Sequence, residues 1–458
     1  MARDPGPLPP HAVQALRSHV RGQILLPGDA GYPLARRCWN ASIDRSPAGI
    51  VRCEDAEDVT RALRIAAEYA LPVTVRGGGH NVAGRAVADG ALMVDLSRMR
   101  AVSVHADSRV AEVQGGALWH DVDVATARSG LATTGGLVSS TGVGGFTLGG
   151  GAGWLMRRFG LAIDNLRAAS VVLADGRFVR ASTDERPDLF WGLRGGGGGL
   201  GVVTGFEFAL HPLRQVYAGV VVRPAEEAAL VLRAFRDFTA DAPDDFCGLL
   251  VLTHAPPLPF LDAAWHGRPV VITALCWSGE PSQAEAALAP LRRVGAPIAD
   301  HVGPMPYVQW QHLQDMGAPA GRYHYWKTVS YRSLPDSAVD VLTDAARSLP
   351  TSLSEIHVQH LGGAVARAPA EETSFAQRDA GIFVNLIGVT QWPEEYPSMR
   401  ERMRGLNEGL SRGALSRLLP NFTDDDDGRV PDQLGPERAE RLQALRRRYD
   451  PDGRFVSV

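Results

Sequence analysis

The feature that most narrows what this chain can fold into is a pair of glycine-rich stretches. VRGGGHNVAG over 75–84 holds four glycines in ten residues, and TGVGGFTLGGGAG over 141–153 is richer still. Glycine admits positive φ and lets backbone amides come close to a ligand, so turns of this composition suit a pyrophosphate. One such cluster is explained by a tight loop; two so near each other favour a dinucleotide. The first follows the apolar run 73–75, which reads as a strand. His80, directly after three glycines, is the sharpest single residue. In a backbone-exposed loop a histidine serves as a ligand, an acid/base or a nucleophile.

A nicotinamide-type Rossmann site is the first competitor. Gly196, Gly198 and Gly201 fit GxGxxG, but the text that follows, VVTGFEFAL, is strand-like where a helix N-terminus is required. In the first cluster Val82 stands where the third glycine should fall. HExxH and GxxxxGK[ST] are both missing, which argues against zincins and P-loop enzymes. Cys38, Cys53, Cys247 and Cys276 lie far apart, match no zinc spacing and read as buried free thiols. Asp424 to Asp427 before Gly428 fails as an EF-hand, because Thr423 falls at position 1 and Leu434 at the twelfth position. That run reads as a solvated acidic loop. His357 and His360, in a predicted strand, point to opposite faces and do not share a metal. No metal is expected.

Composition excludes other classes. The chain has 458 residues, 45% hydrophobic and 21% charged, which is ordinary for a globular protein and large enough to bury a core without disulfides. A net charge of -4 leaves no electrostatic footprint for nucleic acid. No apolar run reaches the roughly 18 to 20 residues a bilayer span needs, and the first residues show no signal-peptide core. A cytoplasmic protein without nucleic-acid or membrane partners is expected. Of 47 basic residues 46 are Arg, and Lys327 is the only lysine. Either chance spared it, or a site there needs an ammonium point charge.

Along the chain, 1–42 read as one helix and a loop. From about 50 to 215 strands and helices alternate: a strand at 50–52, a helix over 55–70 capped by Asp55 with Val59, Ala62, Leu63 and Ala66 on one face, strands at 92–96 and 109–113, and a helix over 119–129. A hairpin turns around Asp175-Gly176, and a strand covers 202–210. After His211-Pro212-Leu213 the character changes. Strands at 216–222, 248–252 and 270–276 alternate with helices at 226–239 and 282–294, as in an antiparallel sheet with helices on one face. A helix over 436–449 precedes the Asp450-Pro451 stop.

The motifs VRGGGHNVAG, GVGGFTLGGGAGWLMRRFGLAIDN and DLFWGLRGGGGGLGVVT, in that order, resemble the FAD-linked oxidases of the berberine bridge enzyme-like group, within the vanillyl-alcohol oxidase and p-cresol methylhydroxylase (PCMH) superfamily. YHYWKT around Lys327, GGAVAR after Leu361 and RRRYDPDGRF continue the pattern over nearly the whole chain. The resemblance implies an α+β protein: an N-terminal segment 1–44, a PCMH-type FAD-binding domain 45–214, an inserted antiparallel-sheet substrate domain 215–415 backed by helices, and a segment 416–458 returning to the FAD domain. It implies a single covalent bond from His80 to the flavin 8α carbon, because the position of the family's second, cysteinyl link is Val138. It also places FAD against Arg76, Gly77, Gly78, Gly79, Asn81, Gly84, Thr141, Gly142, Gly144, Gly145, Gly149, Gly153, Asp164, Val202 and Asn421, with Thr141 tuning oxygen access.

The chain departs from that family where a base is expected. The usual Tyr-x-Asn reads Leu419-Pro-Asn421, keeping the asparagine and losing the tyrosine, and the carboxylate of the cyclising members falls near Val384. Tyr325 and His360, with Tyr323 behind them, stand as candidate bases. Lys327 stands either as a cation near the flavin or as a structural charge, and Asn421 completes the candidate catalytic set. The expected activity is oxidation of a small-molecule secondary metabolite at a C–H next to O or N, with O2 reduced to H2O2. The alternatives are a flavin oxygenase or oxidative cyclase, a carbohydrate oxidase, and a flavin-binding protein without turnover.

Overall fold

A computed structural model describes residues 6–415, 421–424 and 434–456. Leu419 and Asp425 to Asp427, which carry two of the readings above, lie outside them.

The helix Ala56–Glu68 starts where Asp55 accepts a hydrogen bond from the Asp58 amide at 3.0 Å. Its Val59, Ala62, Leu63 and Ala66 are all buried, each larger side chain contributing about 1.5 to 3 kcal/mol. It links the strands Gly49–Arg52 and Val73–Arg76, both of which pair in parallel with Leu92–Asp95 lying between them. The strand Gln23–Leu25 extends this sheet on one edge, antiparallel to Gly49–Arg52. It falls in the segment read above as helix and loop, where three residues are too few to show an alternating pattern.

A second, five-stranded sheet is antiparallel, built from Val102–His105, Val110–Gln114, Val202–Ala209, Leu166–Val172 and Phe178–Ser182 in that spatial order. The helix Pro436–Tyr449 buries Leu442, Leu445 and Tyr449 against Leu189, Phe190 and Trp191. Phe455 bridges to Val73, so the end of the chain packs on the first sheet.

The third sheet has seven antiparallel strands, in the order Ala299–Pro306, Gln215–Pro224, Pro269–Trp277, Phe246–His254, Glu355–His360, Ile382–Thr390 and Tyr323–Tyr331. Side chains alternate between its faces. One face carries Leu250, Val358, Val384 and Tyr325 and is covered by the helices Ala228–Ala240, Pro281–Arg292, Asp336–Arg347 and Tyr396–Leu410. The other carries Ala218, Leu249, Ile272 and Phe383 and packs on Trp154, Leu155, Leu161 and Ile163, residues that follow the second glycine stretch. Among the described residues no helix is long and apolar enough to cross a membrane.

Candidate functional site

The two glycine stretches meet. A Cβ on Gly78 would come within 2.5 Å of the Gly142 nitrogen, and one on Gly142 within 2.3 Å of the Gly78 nitrogen. No other residue type permits that approach, so local composition and tertiary contact are one requirement. Gly77 and Gly144 both lie against the carbonyl of Gly115, at 3.3 and 3.1 Å from their added Cβ positions. At Gly145 the backbone is exposed and an added Cβ would meet nothing within 4 Å, so open space lies over this loop.

His80 leaves the first loop beside Trp39, with ring centroids 4.3 Å apart and planes 16° from parallel. Trp39 also stacks on His324, at 3.9 Å, and meets Trp326 edge-on at 5.6 Å. Asn40 fixes this arrangement from a fully buried position: Nδ2 donates to the carbonyls of Val82 and His324, and Oδ1 accepts from the His324 amide at 2.9 Å. It thereby clamps the His80 loop to the edge strand of the seven-stranded sheet. Burial lowers the pKa of His80 to about 4, so its imidazole is neutral at neutral pH, and its buried Nε2 has no hydrogen-bond partner among the described residues.

Asn421 and Phe422 close one side. Asn421 accepts from the Gly151 amide at 3.3 Å and donates to the Phe146 carbonyl at 3.2 Å, bracing the second glycine loop. Phe422 lies 5.4 Å from the Phe383 ring and stacks at 6.4 Å on Trp326.

The face of the sheet that looks toward this assembly changes character along its width. Under Trp154 and Leu155 it is apolar; toward the edge strand it is polar. Register sets His357, Asn385 and Thr328 in one row, Gln359, Phe383 and Ser330 in the next, and Glu355, Ile387 and Trp326 on the other side. Buried side-chain atoms without a partner among the described residues concentrate here: Trp326 Nε1, Thr328 Oγ1, Ser330 Oγ, Gln359 Nε2, Asn385 Oδ1 and both ring nitrogens of His324. Buried polar atoms are normally satisfied, and an orphaned polar atom costs about 1 to 3 kcal/mol. A band of them facing two glycine loops is what a planar polar ligand and a substrate would satisfy, so the residues present fit FAD.

Several expected site residues lie elsewhere. Tyr325 and His360 are on the helix-backed face: Tyr325 is fully buried in the core with Val329 and Tyr331, and His360 packs on Phe235 and Phe246. Burial, with Arg157 nearby, lowers the pKa of His360 to about 3. Tyr323 and Lys327 share Tyr325's side of the strand. Lys327 donates to the Asp424 carbonyl at 3.3 Å and sits 5.7 Å from the Tyr325 ring. The alternation of a strand therefore turns all four away from His80. Asp164 gives both oxygens to Arg378, at 2.7 and 2.8 Å, and also caps the Leu161 amide, so it belongs to a buried ion pair. Gly153 is glycine because an added Cβ would fall 1.8 Å from the Gly135 oxygen. Asn421 is a brace of the loop, by the contacts above, and not an acid or base.

The other candidates stay on or beside the two loops. Arg76 donates to the Ala35 carbonyl at 2.6 Å, Asn81 accepts from the Ala83 amide at 3.1 Å, and Gly79 and Gly84 hold positive φ. The Thr141 carbonyl accepts from the Trp119 amide, Gly149 lies against the Asn421 side chain, and Val202 is buried between the first two sheets. The polar row on the sheet and Trp39 escaped sequence reading. The signal for the row was the alternation of Thr328 and Ser330 with Val329 and Tyr331.

Residues 47–182 match the family model of an FAD binding domain. The chain is 30% identical to (R)-6-hydroxynicotine oxidase of Paenarthrobacter nicotinovorans, over 95% of this chain and 95% of that protein. Among solved structures it resembles 6-hydroxy-D-nicotine oxidase from Arthrobacter nicotinovorans, with a TM-score of 0.83, 27% identity and coverage of 95% and 96% of the two chains. A berberine bridge enzyme-like protein of Physcomitrella patens shares the fold at a TM-score of 0.85 and 19% identity, covering 97% of each chain. The xylooligosaccharide oxidase of Myceliophthora thermophila does so at 0.84 and 22%, covering 97% of this chain and 98% of that one.

Proposed function

The chain belongs to the berberine bridge enzyme-like family of FAD-linked oxidoreductases, and from that premise we propose that it is an oxidase carrying FAD on His80 and using O2 as acceptor. Bound FAD would supply a two-electron acceptor for a C–H bond next to oxygen or nitrogen. The chain's part is to hold and orient. The Gly78–Gly142 contact shapes the cradle, Asn421 keeps the second loop in place, and Trp39 fixes the plane of the His80 ring.

The neutral imidazole of His80 is the nucleophilic form, which a carbon–nitrogen bond to the flavin requires. Val138 stands where a second, cysteinyl link would arise, and Cys38, Cys53, Cys247 and Cys276 are all buried free thiols, so the linkage proposed is single.

The observation that carries this reading is the band of orphaned polar atoms from His324 to Asn385, facing the paired glycine loops. A small molecule placed there lies between the sheet and the cofactor cradle, the near-attack arrangement such a reaction needs. A second reading, oxidation of a sugar, is favoured by the stacked Trp326 and Phe422 beside neutral hydrogen-bonding groups.

The test is anaerobic mixing of the purified yellow protein with alcohols, amines and oligosaccharides, then admission of O2. The proposal expects bleaching of the flavin band by at least one compound and one H2O2 per product formed. Oxygen from labelled O2 appearing in the product would show an oxygenase instead. A flavin that no compound bleaches would show a binding protein.

A further inference from the structure

The family's tyrosine position is Leu419, and the candidate bases Tyr325 and His360 face the helices. The proton-accepting group therefore has to come from the ligand-facing side of the sheet. On Glu355–His360 that side is occupied by Glu355, His357 and Gln359, because His357 pairs with Val251 and Asn385 while Gln359 pairs with Leu249 and Phe383. Nε2 of His357 lies 2.9 Å from Oε2 of Glu355, two residues back on the same face. The two side chains keep 15% and 28% of their surface, whereas Ile356 and Val358 beside them are wholly buried. The pair thus opens onto space while its neighbours form core.

A carboxylate bound at Nε2 holds the ring proton there and leaves the lone pair on Nδ1. Next in the row stand Asn385 Oδ1 and Thr328 Oγ1, both buried and without partners among the described residues. The partnerless groups on this face (His324, Trp326, Thr328, Ser330, Gln359, Asn385) carry no carboxylate or ammonium, so nothing among them would pair with a charged substrate.

We propose that His357, oriented by Glu355, is the catalytic base, and that the substrate is a neutral hydroxyl-bearing compound whose reacting alcohol lies between His357 and Asn385. The O–H bond breaks with its proton going to Nδ1 of His357. The adjacent C–H bond breaks as the C=O bond forms, and its hydrogen leaves with both electrons to FAD, the oxidant. The product is a ketone, aldehyde or lactone. Asn385 and Thr328 position the hydroxyl groups. This assignment rests on the oxidase reading above and deepens it.

The test uses the full-length, flavin-loaded protein labelled with 15N-histidine. A long-range proton–nitrogen correlation spectrum reads the His357 tautomer, with His357→Asn identifying the signal. The expected result is Nε2 protonated and Nδ1 bare in the wild type, with that preference lost in Glu355→Leu. A proton on Nδ1, or an unchanged preference in Glu355→Leu, overturns the role of Glu355.

Anaerobic flavin reduction is then followed with benzyl alcohol, cellobiose and benzylamine as probes. The expectation is reduction by a hydroxyl probe in the wild type, slowed about 100-fold or more in His357→Asn while the flavin spectrum is kept. Equal rates in wild type and His357→Asn overturn the base, and reduction by the amine alone overturns the substrate class. Reduction by none of the three counts against the hydroxyl class. A protein isolated without flavin instead counts against the oxidase reading itself.

Discussion

Gly78 and Gly142 stand face to face across the two glycine stretches, each backbone filling the place a side chain would need on the other. That contact ties a loop after a parallel strand to a loop 64 positions later and defines the mouth of the cofactor cradle.

Gly142→Ala therefore tests the cradle. Overpacking of this kind costs about 1 to 3 kcal/mol. The variant is expected to melt lower and to be purified with less flavin per protein, read from the ratio of visible to ultraviolet absorbance. Full flavin content and an unchanged melting temperature would mean that the loops are free to part.

The two faces of the seven-stranded sheet should behave differently. Thr328→Val and Asn385→Ala, on the ligand-facing side, are expected to slow substrate-driven flavin reduction by about tenfold or more. Tyr325→Phe, on the helix-backed side, should leave that rate within about threefold. Stopped-flow bleaching of the flavin measures both, and the reverse pattern would put the substrate on the wrong face.

Asp164 and Arg378 form a buried pair, with side chains 14% and 6% exposed. Removing one partner of such a pair typically costs about 3 to 5 kcal/mol. Arg378→Met is expected to lower the urea midpoint sharply. Asp164→Asn should lower it as well, with flavin lost only as the protein unfolds. Flavin loss from a stable Asp164→Asn protein would restore that residue as a cofactor contact.

Asp123 is buried and bonded to Gln311, and burial, assisted by Asp315, raises its pKa to about 7. A carboxyl group whose folded pKa lies above its unfolded value favours the fold when protonated. Its contribution is complete below about pH 4 and is lost as pH rises through 7. Asp123→Asn should therefore be more stable than wild type above pH 7, with the difference shrinking toward pH 4, as followed by melting temperature across pH. A difference that grows toward acid pH would contradict this.

Much of the fold was legible because it rests on local rules. Asp55 caps its helix, Asp175-Gly176 turns its hairpin, and the strand after the five-glycine run excludes a Rossmann helix, all as read from the sequence. The glycine loops were legible for the same reason: a glycine demanded by close approach is visible in composition. The polar face of the seven-stranded sheet was not. In YHYWKTVSY the eye goes to the tyrosines and the lone lysine, but a strand shows either parity equally well until its register with the neighbouring strands is known. His357 was weighed only as a metal ligand, because its partnership with Glu355 depends on a side-chain contact that spacing alone leaves open. Trp39 and Asp164 owe their roles to His80 and Arg378, partners distant in sequence that no local pattern announces.

The covalent tie proposed between His80 and the flavin is tested most directly by acid precipitation of the purified protein. The yellow colour is expected to stay with the wild-type pellet and to pass to the supernatant for His80→Ala. Colour released from the wild type, or retained by His80→Ala, would contradict it.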